Sequence, residues 1–126
     1  MDPQEHEVLD PQLLETLRAL QDPSDPDLAH ELITLFLRDS AARVAAIRIA
    51  AVSGDLAAQA EIAELAHQLK GSAGALSASR FRETASDLEL ATRFGRPDAT
   101  TLASLCAGLA EAFDEVRAAL ARLGFP

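Results

Sequence analysis

The chain has 126 residues, 48% of them apolar and 4% aromatic, with a formal net charge of −9. That length suits one domain that buries a core without a metal or disulfide, and Cys106, the single cysteine, excludes an intrachain disulfide. The acidic balance repels nucleic acid and anionic lipid, and no leader-like or bilayer-spanning apolar run is present, so a cytoplasmic protein without nucleic-acid or membrane partners is expected.

Residues 1–9 are polar and acidic and are expected to form a loose tail. Asp10 and Pro11 read as a helix start, because aspartate accepts from free first-turn amides and proline fits the first helical position. Leu13, Leu14, Leu17 and Leu20 then line one face of a short helix over residues 11–20. Asp22, Pro23, Ser24, Asp25 and Pro26 break it, and a bundle is expected over residues 26–123.

A long helix is predicted over residues 26–52. It carries two apolar rows, Leu28, Leu32 and Leu35 on one side and Ile33, Phe36, Leu37, Val44 and Ile47 on the other. That stripe is wider than one helix contact needs. Burial between two neighbours is the expectation; the other reading leaves Leu32 or Phe36 exposed as a docking patch. Ser53, Gly54 and Asp55 turn the chain.

The next helix is predicted over residues 56–76, and a turn at Ser77, Ala78 and Ser79 leads into another over residues 79–94 that buries Phe81, Ala85, Leu88 and Ala91. Gly95, Arg96, Pro97 and Asp98 break it. The last helix repeats Leu102, Leu105, Cys106, Leu109, Phe113, Val116, Leu120 and Leu123, with Gly124 as its C-terminal cap. Cys106 falls in the apolar stripe as a small core residue. No alternating strand pattern and no internal repeat occur. The fold expected is all-α, an antiparallel up-down four-helix bundle with an extra short N-terminal helix.

Within the helix 56–76, Ile62, Leu65, Leu69, Ala73 and Leu76 recur at three- and four-residue steps and mark the buried seam. At about 100° per residue, His67 lies roughly 160° from the middle of that seam and points outward. Ala60, Ala63, Glu64, Lys70, Gly71 and Gly74 share its face. Most of these are small, whereas a solvated face ordinarily carries long polar residues. Gly71 and Gly74 each cost the helix about 1 kcal/mol relative to alanine, a loss that makes sense if something large approaches the imidazole. Lys70, one turn on, can donate to an anion held on the ring. Glu64 either bonds the imidazole or solvates the face; the second is preferred. Ser72 is expected to bond a carbonyl one turn back.

Other candidates fall away. His6 lies in the tail and His30 has no supporting constellation; the HExxH pattern that begins at His30 fails at Thr34. Three histidines and one cysteine supply no metal-ligand spacing. Lys70-Gly71-Ser72 lacks the order and context of a phosphate-binding loop.

The run His67-Gln-Leu-Lys70-Gly71-Ser72-Ala73, followed by Leu76 and then Leu88-Glu89, resembles the signature of histidine-containing phosphotransfer (HPt) domains, over residues 32–120. Ser77 stands where the family often has glycine. The resemblance implies a four-helix bundle, often monomeric and often with an accessory N-terminal helix. It implies a phosphocarrier without kinase activity of its own. His67 would be the phosphoacceptor and Lys70 the phosphate-stabilising cation, with Ala63, Glu64, Gly71, Gly74, Leu32 and Phe36 as docking surface. Expected partners are receiver domains of response regulators or hybrid histidine kinases. No cofactor of its own is expected, and Mg²⁺ belongs to the receiver. Two alternatives stay open: a scaffold or inhibitor that binds a receiver or kinase without carrying phosphate, and a phosphoacceptor piece of a chemotaxis-type kinase. The initial Met and the cap at Gly124 favour a complete chain.

Overall fold

A computed structural model describes residues 8–10, 12–20, 24 and 27–125, and in its first helix the side chains of Leu13, Glu15, Leu17 and Ala19. Among the described residues, five helices have both ends in view, in order: α1 (Leu13–Leu20), α2 (Leu28–Ser53), α3 (Leu56–Ala75), α4 (Ser79–Phe94) and α5 (Ala99–Arg122). Among the described residues there is no strand. The four long helices pack on their sequence neighbours, α2 also meets α5 to close the bundle, and α1 packs on α2. The α3–α4 interface is the most extensive.

The boundaries follow from local chemistry. Gly54, with φ of 62°, ends α2, and its amide donates to the Ala50 carbonyl. The Asp55 and Asp98 carboxylates accept from the amides of Ala58 and Thr101, which caps α3 and α5. That hydrogen bond from Thr101 holds the Asp98 carboxyl below its ordinary range. The core is aliphatic around a small aromatic centre. Ile33, Ile47, Ile62, Leu69, Leu88, Leu109 and Leu120 are fully buried. Phe81 meets Phe36 edge-on, with centroids 6.5 Å apart, and Phe113 at 5.5 Å. Each such side chain contributes about 1.5–3 kcal/mol through burial.

Several expectations change here. Leu32 and Leu35 are 43% and 45% exposed, so one of the two apolar rows on α2 is not buried between neighbours. Val8 and Leu9 are buried against the core, so the end of the supposed tail is anchored by its apolar residues. Leu65 and Ala91 are half-buried, and Leu123 is exposed. Residues 1–7 including His6, Pro11, the breakers Asp22, Pro23, Asp25 and Pro26, and the side chains of Leu14 and Leu20 lie outside the described residues.

The end of α3 keeps a glycine-like shape without glycine. Ser77 has φ of 52°, in the left-handed region. Its amide donates to the Gly74 carbonyl, and the Ala78 amide donates to the Ala73 carbonyl. That pair of bonds is a Schellman closure, which favours glycine at the Ser77 position. We expect Ser77→Gly to raise stability by about 0.5–1 kcal/mol, the left-handed strain relieved minus glycine's extra chain entropy. Urea denaturation measures it, and an unchanged or lowered midpoint would refute the strain.

Candidate functional site

The core seam of α3 decides where His67 stands. Ile62, Ala66, Leu69 and Ala73 are fully buried, which turns the opposite side of the helix to solvent. The His67 side chain is accordingly 57% exposed. Gly71 and Gly74 are exposed beyond it. A Cβ added at Gly71 would meet no other atom within 4 Å, so no packing demand accounts for that glycine. His67, Lys70, Gly71, Gly74 and Arg82 line one cavity of about 390 Å³.

Beneath the imidazole lies a carboxylate from α4. Glu89 is 7% exposed, although it carries a charge. Its Oε2 stands 2.9 Å from His67 Nδ1 and its Oε1 stands 2.8 Å from Lys70 Nζ. Arg93, one turn on along α4, brings Nη2 to 3.2 Å from the same Oε2. The hydrogen bond from Lys70 and its charge, with a further bond from His67, hold the Glu89 carboxyl below its ordinary range despite its burial. An ionised carboxylate only accepts, so His67 Nδ1 must carry the proton it donates. In the neutral ring, Nε2 is then the nitrogen with the free lone pair. The arrangement offers an oriented nucleophile, cations beside it and an uncrowded approach.

The structure brings together His67, Lys70, Gly71 and Gly74 as expected from the sequence. Glu64 is exposed and faces Arg93, at 3.7 Å, rather than the imidazole. Ala63 must be corrected: it is 2% exposed and cannot present a docking surface, because it lies on the flank of α3 covered by its neighbours. Leu32 and Phe36 line a separate apolar groove with Leu35, Ser72, Ala75 and Leu76. Phe36 is half-buried there and Leu32 exposed. The Ser72 hydroxyl donates to the Gln68 carbonyl one turn back, as expected. Among the described residues no group of three or more His, Cys, Asp or Glu is placed to hold a metal.

Sequence reasoning gave no role to Glu89, Arg93 or Arg82. For Glu89 a signal existed. Phe81, Ala85, Leu88 and Thr92 form the buried stripe of α4, and Glu89 sits one turn from Ala85 on its border. A carboxylate on a buried stripe needs partners. The partners, on α3, are invisible without the helix pairing.

The Hpt domain profile matches residues 31–122. The chain belongs to the Hpt domain family. A search of curated proteins finds no match. Hpt domains are helical bundles that serve histidine phosphotransfer in two-component phosphorelays, as phosphocarriers rather than kinases, and they interact with receiver domains. Among the described residues of this Hpt domain, no helix is long and apolar enough to cross a membrane. The cleared face beside His67 makes a direct prediction. Gly71→Glu should keep the fold and raise the unfolding free energy by about 0.5 kcal/mol, since the position is open and glutamate is the better helix former. It should weaken receiver binding by at least about tenfold, through bulk and charge at the approach. Titration calorimetry reads the second effect, and unchanged affinity would refute the role of Gly71.

Proposed function

We propose that this Hpt domain accepts a phosphoryl group on His67 from a receiver aspartate, or from a kinase, and passes it to another receiver. The observation that supports this best is the buried Glu89 carboxylate at 2.9 Å from Nδ1 of an exposed imidazole. It fixes the tautomer in which Nε2 is the nucleophile. The Nε2 lone pair attacks phosphorus as the bond from phosphorus to the aspartyl oxygen breaks, and that electron pair returns to the receiver's carboxylate. No proton needs to move. The positive charge left on the phosphorylated ring is stabilised by Glu89 through Nδ1–H. Lys70 spends one donor on Glu89 and keeps others for the phosphoryl oxygens. Phosphoryl transfer depends chiefly on such positioning and charge neutralisation. Glu64, Gly71, Gly74, Leu32 and Phe36 are the proposed docking surface. Mg²⁺ is assigned to the receiver, beside its aspartate.

The rest of the proposal is a cytoplasmic monomer with an up-down antiparallel bundle, in which α1 is accessory. The short turns at Gly54 and Ser77 support antiparallel neighbours. The deciding experiment is transfer from a labelled phospho-receiver, with Mg²⁺, to the wild-type chain. Acid-labile label is expected. No label, from receivers competent toward another Hpt protein, would overturn the carrier role in favour of a scaffold. Lys70→Ala should slow transfer about tenfold, and transfer at the wild-type rate would remove Lys70 from the chemistry.

A further inference from the structure

We infer that Arg82 is a second phosphoryl-binding residue, its guanidinium donating to the phosphoryl oxygens alongside Lys70. The inference rests on His67 as phosphoacceptor. Arg82 stands in the first turns of α4, yet it lines the same cavity as His67, Lys70, Gly71 and Gly74. Its stem lies against Gly74: the Arg82 Cδ passes 4.0 Å from where a Gly74 Cβ would stand. The stem therefore runs along the glycine-bearing side of α3, with its charged end free to turn toward the imidazole.

Charge accounting points the same way. Lys70 and Arg93 both bind Glu89, and Arg93 also faces Glu64. Those two cations are largely offset before any phosphoryl group arrives. A phosphoryl group adds roughly 1.5 to 2 negative charges near neutral pH. Arg82 is the cavity cation whose side chain has no hydrogen bond or ion pair among the described residues. A guanidinium also suits phosphoryl oxygens, because its planar fork donates to two of them at once.

The test needs no receiver. Wild type, Arg82→Gln and Arg82→Lys are phosphorylated on His67 with phosphoramidate, and the phosphorus NMR shift is titrated against pH. A neighbouring cation favours the dianion, so Arg82→Gln should titrate at higher pH than wild type, with Arg82→Lys between them. Transfer from a phospho-receiver should slow roughly three- to tenfold in Arg82→Gln, an exposed charge-assisted contact being lost. A merely structural role would move neither the titration nor its partial rescue by lysine. Wild-type label with identical titration and rate in Arg82→Gln would overturn the role of Arg82 alone. A wild type that takes no label on His67 would overturn the phosphoacceptor assignment and this inference with it.

Discussion

His67→Gln is expected to abolish phosphoryl acceptance while leaving the bundle folded. The imidazole is 57% exposed and takes no part in the core, so its replacement should change stability by no more than about 1 kcal/mol. Glutamine has no nucleophilic nitrogen, because its amide lone pair is delocalised. The loss should therefore be complete rather than graded. Transfer from a labelled phospho-receiver, paired with a urea unfolding curve, reads both halves. Acid-labile label on the variant would place the phosphoryl group elsewhere. A folded, unlabelled variant that kept full regulatory effect would favour a scaffold.

Glu89→Ala should be the next most damaging change to transfer. Without the carboxylate, the ring loses both its orientation and the preference for a proton on Nδ1. Losses of such supporting groups run to about tenfold to a hundredfold, and the upper end is expected because Lys70 also loses its anchor. Stability should fall by only about 1 kcal/mol, since Lys70 and Arg93 retain access to water. Glu89→Gln separates the two contributions. Its amide oxygen can still accept from Nδ1–H, so orientation should return while the charge does not. A rate for Glu89→Gln equal to that of Glu89→Ala would show that charge alone matters; wild-type transfer by Glu89→Ala would remove Glu89 from the mechanism. The same carboxylate predicts a pH effect. Lys70 lowers its pKa in the folded state, so its contribution to stability is full above the ordinary glutamate range. It is lost as pH falls through the lowered native value. The acid limb of stability against pH should thus flatten in Glu89→Ala.

The fold was legible because its signals are local. Apolar spacing marked the helices, and the turn at Ser53-Gly54-Asp55, the break at residues 95–98 and the cap at Gly124 marked their ends through chemistry that involves only a few neighbouring residues. The outward aspect of His67 followed from helical geometry alone. Ala63 was misjudged for the same reason: a wheel drawn on one helix does not show how far the neighbours wrap its flank. Leu32 and Leu35 repeat the lesson on α2, where an apolar row does not say whether anything covers it. Glu89, though part of the quoted signature, and Arg82 were given no role because their value depends on the pairing of α3 with α4, which brings Glu89 to His67 from 22 positions away and Arg82 to Gly74 across the turn between the helices.

The placement of Glu89 also bears on reversibility. It holds His67 from beneath, on a rigid helix, and leaves the outer side of the ring to whichever domain arrives. An imidazole ready to attack an acyl phosphate is by microscopic reversibility equally ready, once phosphorylated, to surrender the group to a carboxylate along the same path. Such a surface lowers the barriers in both directions and leaves the equilibrium between the two receivers unchanged. Net flux is then governed by the relative stabilities and abundances of the two phospho-receivers, and a change at Glu89 slows the overall exchange equally in both directions while shifting the single step onto His67, whose phosphorylated ring Glu89 stabilises.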